Sequence, residues 1–284
     1  MLSEKGGIDM IIDGHAHACG NYFDEKRILR ELKKEKIDMV VLCPGEANSK
    51  RNYIYPMLCT LTQNYDICYK VNKFIQFAIK TSKMAEHTGD ENKRIYELAK
   101  LHPGKIIQAY WVNPLSKDCI KKLDEDYREY KFKMIKMHQC WNDIDILSPS
   151  VKAVFDYARE KRLPIFIHLK SKEQVEKFIK LSNLYLDVTV IVAHMIGFRE
   201  ISKKTLNNNI YYDISSPQLI REELFKEALD TVGSSKLILG SDTPYGTNNI
   251  KININRINKY CTDINDKKNI MYENIFKILK KIEN

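Results

Sequence analysis

The run Ile11-Ile12-Asp13-Gly14-His15-Ala16-His17 is a short apolar segment that ends in two histidines separated by one residue. Because side chains alternate between the two faces of a strand, His15 and His17 leave the same face with Cα atoms about 6.5 Å apart. Two neutral imidazoles in this arrangement can bind one divalent metal ion, but a functional site needs ligands from elsewhere in the chain. The pair alone is equally compatible with a surface strand that carries two histidines by chance.

Four later apolar runs also end in a side chain of a type that binds metals or transfers protons. Their last residues are His138, His168, His194 and Asp242. Parallel barrels build their active sites at the carboxyl ends of successive strands. The repeated pattern therefore predicts a barrel in which these side chains meet the histidine pair at one end.

Strand-like and helix-like segments alternate along the chain, which predicts an α/β fold. Continuous apolar runs without polar alternation are typical of parallel strands covered on both faces, and eight such runs favour a (β/α)8 TIM-type barrel. An open doubly wound sheet is the alternative. The segment 44–104 is too long for a plain loop and has helical periodicity, so we expect a helical insertion between strands 2 and 3. No linker or repeat divides the sequence, and we expect residues 1–284 to form a single domain.

Composition limits the class of protein. The chain has 284 residues, 44% of them hydrophobic, which is enough for a large core. No apolar run approaches the roughly 18 residues that span a bilayer, and the first residues lack the features of a signal peptide. Seven scattered cysteines without a CxxC pair fit a reducing compartment. We therefore expect a cytoplasmic protein without a membrane partner.

The formal net charge of +9 raises the question of nucleic-acid binding. Most lysines, however, lie in segments such as 30–36, where acids are interleaved and the apolar spacing is that of an amphipathic helix. The sequence has no zinc-finger spacing and no RNA-binding signature. It therefore predicts no nucleic-acid partner, whereas a small anionic substrate is compatible with the charge.

Several motifs in order resemble the amidohydrolase superfamily. They are His15-Ala16-His17, Ile167-His168, Val192-Ala193-His194-Met195-Ile196-Gly197 and Gly240-Ser241-Asp242-Thr243-Pro244. The similarity is closest to the branch of amidohydrolase-related hydrolases and decarboxylases that includes aminocarboxymuconate semialdehyde decarboxylase. Similar stretches at 101–105, 113–114 and 272–276 extend the resemblance over nearly the whole chain.

The resemblance implies one divalent metal ion held by His15, His17, His168 and Asp242. Three neutral nitrogens and one carboxylate leave an open position at which water can be activated. Zinc is the expected ion, with Mn²⁺, Fe²⁺ or Co²⁺ as alternatives, and the branch implies a homodimer. A second interpretation has two metal ions bridged by a carboxylated Lys136.

Catalytic and substrate-binding roles follow from the same comparison. Asp242 is the expected general base, and the resemblance implies that His194 hydrogen-bonds the attacking water or the developing oxyanion. We expect His138 to contact substrate or to support the residues that do. Arg199 could clamp a substrate carboxylate or be an ordinary arginine at the start of a helix. Asp213 could orient a metal-ligating histidine or cap the next segment.

These assignments predict a metal-dependent hydrolase that attacks an amide, lactone or ester of a small molecule with metal-activated water. The alternative is non-oxidative decarboxylation of a small unsaturated or aromatic carboxylic acid at the same centre. A non-catalytic barrel that binds or senses a ligand is a third hypothesis, since a fold does not guarantee an activity.

Overall fold

Eight parallel strands in the order β1 to β8 form the centre of the protein. The computed structural model describes residues 8–61, 67–82 and 91–280. The strands are β1 (Ile12–His17), β2 (Met39–Cys43), β3 (Ile106–Trp111), β4 (Met134–His138), β5 (Ile165–His168), β6 (Val190–Val192), β7 (Ile210–Asp213) and β8 (Leu237–Ile238). Backbone hydrogen bonds from Gly14 N to Leu239 O (2.9 Å) and from His17 N to Thr243 O (2.8 Å) join β1 to β8 and the segment after it. The chain is therefore a TIM-type barrel, which confirms the predicted fold class.

Helices alternate with the strands and cover the outside of the barrel. They are α1 (Glu25–Glu35), α2 (Ile67–Ser82), α3 (Glu91–Leu101), α4 (Cys119–Tyr130), α5 (Pro149–Lys161), α6 (Lys172–Ser182), α7 (Phe198–Lys204), α8 (Glu222–Val232), α9 (Asn249–Tyr260), α10 (Ile264–Lys268) and α11 (Asn274–Lys280). The side chains of Asp24, Ser148 and Ser171 accept backbone N–H bonds at the starts of α1, α5 and α6. Such caps satisfy N–H groups that have no partner within the helix, so these residues set where the helices begin.

The segment between β2 and β3 crosses the carboxyl end of the barrel. Tyr53 N donates to Pro244 O (3.0 Å), Cys59 N donates to Gln218 O (2.8 Å), and the Asn72 amide donates to Leu169 O (3.0 Å). The following helix, α3, packs on β3 through Asn92, whose amide donates to Trp111 O (2.9 Å). Thus α3 packs on the barrel as an ordinary barrel helix does, and the helical insertion predicted at 44–104 stays a prediction. Residues 62–66 and 83–90 of that segment lie outside the described residues.

The apolar core has two layers, one inside the barrel and one between the strands and helices. Inward-facing side chains from alternate strand positions fill the interior, among them Ile12, Val41, Ala109, Met134, Phe166, Ile191 and Ile238. The barrel is therefore a packed core whose polar side chains collect at the carboxyl ends of the strands.

We expect Phe178→Ala to lower the free energy of unfolding by about 3–5 kcal/mol, because it removes a large side chain that is fully buried on α6. Phe77→Ala on α2 is the matched control, since 66% of that side chain is exposed. The control should change the stability by no more than about 0.5 kcal/mol. Urea denaturation followed by circular dichroism measures both, and equal losses would contradict the assignment of the core.

The composition predicts cysteines without disulfide bonds and a chain without membrane-spanning helices. All seven cysteines are free and buried. None of the helices among the described residues is long and apolar enough to cross a membrane. The structure thus contains no disulfide among its cysteines, as the scattered spacing predicts.

Candidate metal centre

His15, His17 and Asp242 meet where β1 pairs with the segment after β8. Asp242 N donates to His15 O (2.7 Å), and this backbone contact places the carboxylate beside both imidazoles. Asp242 Oδ1 lies 3.6 Å from His15 Nε2 and 3.3 Å from His17 Nε2. All three side chains are buried. The strand alternation that groups the two histidines in the sequence therefore delivers them to one carboxylate.

His194 approaches the same carboxylate from the end of β6. Its Nε2 lies 3.8 Å from Asp242 Oδ2, and its backbone N donates to Asp213 Oδ2 at 3.1 Å. Ligand atoms of His15, His194 and Asp242 all lie within 4.8 Å of one another. His194 and Asp242 both adopt positive φ, at 51° and 58°. Such backbone strain in non-glycine residues is concentrated at functional sites, where the surrounding structure maintains it.

His138 and His168 form a second group on the adjacent strands. They are paired in register at the ends of β4 and β5, and their rings stack with centroids 4.0 Å apart. The His168 ring lies 5.2 Å from that of His194, and its Nδ1 is 3.9 Å from Cys140 Sγ. Among the described residues, the groups of ligand atoms within 4.8 Å join His168 to His138 and Cys140 rather than to Asp242. The role of His168 as a metal ligand therefore stays a prediction.

Hydrogen bonds at the Nδ1 atoms indicate which nitrogens are free to bind a metal. His17 Nδ1 lies 2.8 Å from the carbonyl oxygen of Pro44, and His194 Nδ1 lies 3.3 Å from that of Ser215. A carbonyl oxygen only accepts, so each Nδ1 carries a hydrogen, and Nε2 is the nitrogen left to bind a metal. Metal-ligating histidines are commonly held in this way.

The donor set fits one divalent metal ion. Ligand atoms bonded to a tetrahedral zinc ion at about 2.1 Å lie about 3.4 Å from one another. Asp242 Oδ1 lies 3.6 Å from His15 Nε2 and 3.3 Å from His17 Nε2, the two histidines of the first strand that the sequence predicts as its fellow ligands. The distances from the carboxylate to these two nitrogens therefore match such an ion.

Electrostatics favours the protonation states that a metal requires at His15 and Asp242, but not at His17. Burial alone would lower the pKa of His17, but the adjacent Cys43 and Asp242 raise it to about 10, so this imidazole must lose a proton before it binds a cation. Burial, reinforced by the nearby Lys136, holds the pKa of His15 well below its usual range, so the imidazole is neutral. Burial alone would raise the pKa of Asp242, but the adjacent His194, His17 and His15 outweigh it and the pKa is lowered. A neutral imidazole and an ionised carboxylate can bind a cation without first losing a proton.

Lys136 is a buried cationic side chain within the site. Its Nζ lies 2.9 Å from His15 Nε2 and 4.0 Å from the centroid of the Phe166 ring. Burial lowers the pKa of Lys136. The amine therefore competes with a metal for the lone pair of His15. This is the side chain that the second interpretation of the sequence carboxylates to bridge two metal ions.

Aromatic side chains form the walls around the histidines. The Trp111 ring stacks on His138 with centroids 5.6 Å apart, and the Tyr245 ring lies edge-on to His17 at 5.4 Å. Tyr53, from the segment that crosses the barrel, stacks on Tyr245 at 5.3 Å. Aromatic rings from β3 and from the segments after β2 and β8 therefore lie against or close to the site histidines.

Arg199 and Asp213 have different surroundings from each other. The Arg199 guanidinium forms two bonds with the Glu227 carboxylate, with Nε 3.0 Å from Oε1 and Nη2 2.6 Å from Oε2, which ties α7 to α8. This geometry favours a structural role for Arg199 and gives no support to the predicted clamp on a substrate carboxylate.

Asp213 is fully buried, and its Oδ2 lies 3.4 Å from His15 Nδ1. This position favours the prediction that Asp213 orients a histidine over the prediction that it caps the next segment.

The chain belongs to the amidohydrolase family, whose model matches residues 69–280. This assignment confirms the resemblance drawn from the histidine and aspartate motifs. The superfamily is generally metal-dependent, and the histidine and aspartate clusters provide residues that could bind an ion. A search of curated proteins finds no match.

Solved structures share the barrel over nearly the whole chain. The 4-oxalomesaconate hydratase of Rhodopseudomonas palustris has 13% identity and a TM-score of 0.64, covering 96% of this chain and 97% of its own. The 5-carboxyvanillate decarboxylase of Sphingomonas paucimobilis has 10% identity and a TM-score of 0.61, covering 89% and 82%. A probable 2-pyrone-4,6-dicarboxylic acid hydrolase of Acinetobacter baumannii has 11% identity and a TM-score of 0.64, covering 95% and 98%. At these identities the comparison establishes the fold.

Proposed function

We propose that this protein is a metal-dependent hydrolase of an amide, lactone or ester bond in a small molecule. The observation that supports it most directly is the convergence of three imidazole Nε2 atoms on Asp242, at 3.3 to 3.8 Å. A divalent ion at this position would lower the pKa of a water molecule and polarise a carbonyl group. Zinc is the ion we propose, with His15, His17 and Asp242 as ligands and His168 as the fourth.

Asp242 and His194 would carry the proton through the reaction. Asp242 Oδ2 accepts a hydrogen bond from Ser216 Oγ at 2.5 Å, which fixes the carboxylate, and the carboxylate takes the proton of the attacking water. His194 Nε2 lies 3.8 Å from the same oxygen, which is beyond a direct hydrogen bond, so it would receive that proton through one bridging water molecule. The resulting imidazolium donates a hydrogen bond to the developing oxyanion, and the proton finally passes to the leaving group.

Decarboxylation of a planar unsaturated or aromatic acid is the second candidate function. The rings of Trp111, His138 and His168 stack in a column, with interplanar angles of 12° and 7°. A flat substrate could add to such a column at an outer face, because aromatic rings favour offset stacking. Two structural neighbours are named as decarboxylases of 5-carboxyvanillate and 2,6-dihydroxybenzoate. In this reaction Asp242 or His194 would deliver a proton to the substrate carbon that loses CO₂.

A paired activity screen tests the proposal. Protein reconstituted with zinc is assayed against a set of lactones, esters and amides and, separately, for CO₂ release from aromatic and unsaturated acids. We expect turnover in the first set, its loss after treatment with a chelator, and its recovery when zinc is restored. Turnover that persists in protein shown to be metal-free would contradict metal dependence, and CO₂ release alone would favour the second candidate. The homodimer and the cytoplasmic location stay predictions from the sequence.

A further inference from the structure

The Ser215 hydroxyl lies between two of the site histidines. Its Oγ is 3.0 Å from His15 Nδ1 and 3.0 Å from His194 Nδ1, and it donates a 2.5 Å hydrogen bond to Asp213 Oδ2. A hydroxyl has one hydrogen to donate and two lone pairs to accept with. Because the hydrogen is used by Asp213, both Nδ1 atoms must donate to Ser215.

We propose that Ser215 is a positioning residue that fixes the tautomer and orientation of His15 and His194 together. This role rests on the proposed function, since it leaves both Nε2 lone pairs directed toward Asp242, at 3.6 and 3.8 Å. One hydroxyl thereby prepares a metal ligand and a proton-transfer group at the same time. Removal of the Ser215 hydroxyl would therefore disturb the orientation of both imidazoles.

Asp213 acts through Ser215 rather than on the imidazoles directly. Its Oδ2 lies 3.4 Å from His15 Nδ1 and 3.6 Å from His194 Nδ1, beyond the usual length of an N–H···O hydrogen bond. Its Oδ1 instead accepts from the Ser215 backbone N at 3.0 Å. The carboxylate therefore holds Ser215 at two points and sets the direction of its hydroxyl hydrogen.

The surrounding backbone leaves room for this cluster. A Cβ atom on Gly240 would lie 2.6 Å from Asp213 Oδ1 and 3.0 Å from the Cβ atoms of both His15 and Ser215. Real Cβ atoms essentially never approach another atom as closely as 2.6 Å, so the segment after β8 can pass the cluster only with a glycine at this position. Asp213 and Ser215 are completely buried, and the cluster is thus a built part of the barrel.

Nuclear magnetic resonance of the full chain, labelled with ¹⁵N-histidine and free of metal, tests the inference. The wild type should show His15 and His194 with hydrogen on Nδ1, and both Nδ1–H signals should exchange slowly with water. In Ser215→Ala the His15 signal should lose its protection, and the His194 signal should lose less, because its Nδ1 also lies 3.3 Å from the Ser215 carbonyl oxygen, which the variant keeps. Ser215→Thr, which keeps a hydroxyl, should restore both signals. The His17 signal is an internal control, because its Nδ1 donates to Pro44 O. The affinity for zinc should fall about 10- to 100-fold in Ser215→Ala and recover in Ser215→Thr.

Ser216→Ala provides the matched control, since this neighbouring serine donates to Asp242 rather than to an imidazole. It should leave both Nδ1–H signals in place. A His15 signal that stays fully protected in Ser215→Ala would overturn the inference. Hydrogen on Nε2 rather than Nδ1 of either histidine in the wild type would also overturn it, and that result needs no variant. A wild type with the expected signals but no affinity for metal would instead refute the proposed function and leave the role of Ser215 intact.

Discussion

Asp242→Asn is expected to slow turnover at least about 1000-fold on the substrate that the activity screen identifies. The substitution keeps the size of the side chain but replaces an oxygen that takes up a proton with an amide that cannot. It also removes the negative charge on which His15, His17 and His194 converge. Measurement of kcat/KM for zinc-loaded protein gives the loss of transition-state stabilisation directly.

Ser216→Ala is the control for this prediction. It removes the hydrogen bond to Asp242 Oδ2 but leaves the carboxylate, so we expect a loss of no more than about tenfold, comparable to a single hydrogen bond. Wild-type turnover by Asp242→Asn would show that the proton moves through another group and would exclude Asp242 as the general base.

His15→Ala is expected to lower the affinity for zinc at least about 100-fold, because the substitution removes one of the proposed metal ligands. Its loss also leaves Lys136 Nζ without the imidazole that it contacts at 2.9 Å. A ligand that binds only the folded state stabilises a protein by about 2.7 kcal/mol when its free concentration is 100 times its dissociation constant. Zinc should therefore raise the melting temperature of the wild type and have little effect on the variant.

His102→Ala is the matched control for this loss of an imidazole. His102 follows α3 and pairs with Glu25 at 2.8 Å, away from the barrel mouth. The control should retain the stabilisation by zinc. An unchanged response of His15→Ala to zinc would show that His15 is not a ligand.

The fold could be predicted from the sequence because each strand has its own local signal. The apolar runs that end at His138 and His168 coincide with β4 and β5, and the amphipathic segment 149–161 coincides with α5. A strand buried on both faces must be apolar throughout, whereas its end at the barrel mouth can carry a polar group. The chain order of the motifs therefore contains both the topology and the location of the site.

The contacts that complete the site depend on residues that are distant in sequence. The sequence motifs did not indicate a role for Ser215. Strand alternation beyond β7 nevertheless places it on the same side as Asp213, and this two-residue spacing could have marked it as a neighbour of the site. Arg199 lies five residues after His194, yet its guanidinium pairs with Glu227, which no local pattern indicates. The stacking of His138 on His168 likewise follows from the register of two strands rather than from either motif alone.

The metal content of the purified protein, measured by plasma mass spectrometry after reconstitution with zinc, tests the central claim most directly. We compare the wild type with Lys136→Met, which removes the amine beside His15 and keeps an apolar side chain of similar length. A single centre predicts about one equivalent in both proteins. About two equivalents in the wild type, with a loss in the variant, would instead establish a bridged pair of ions, and no bound metal would contradict a metal centre at Asp242.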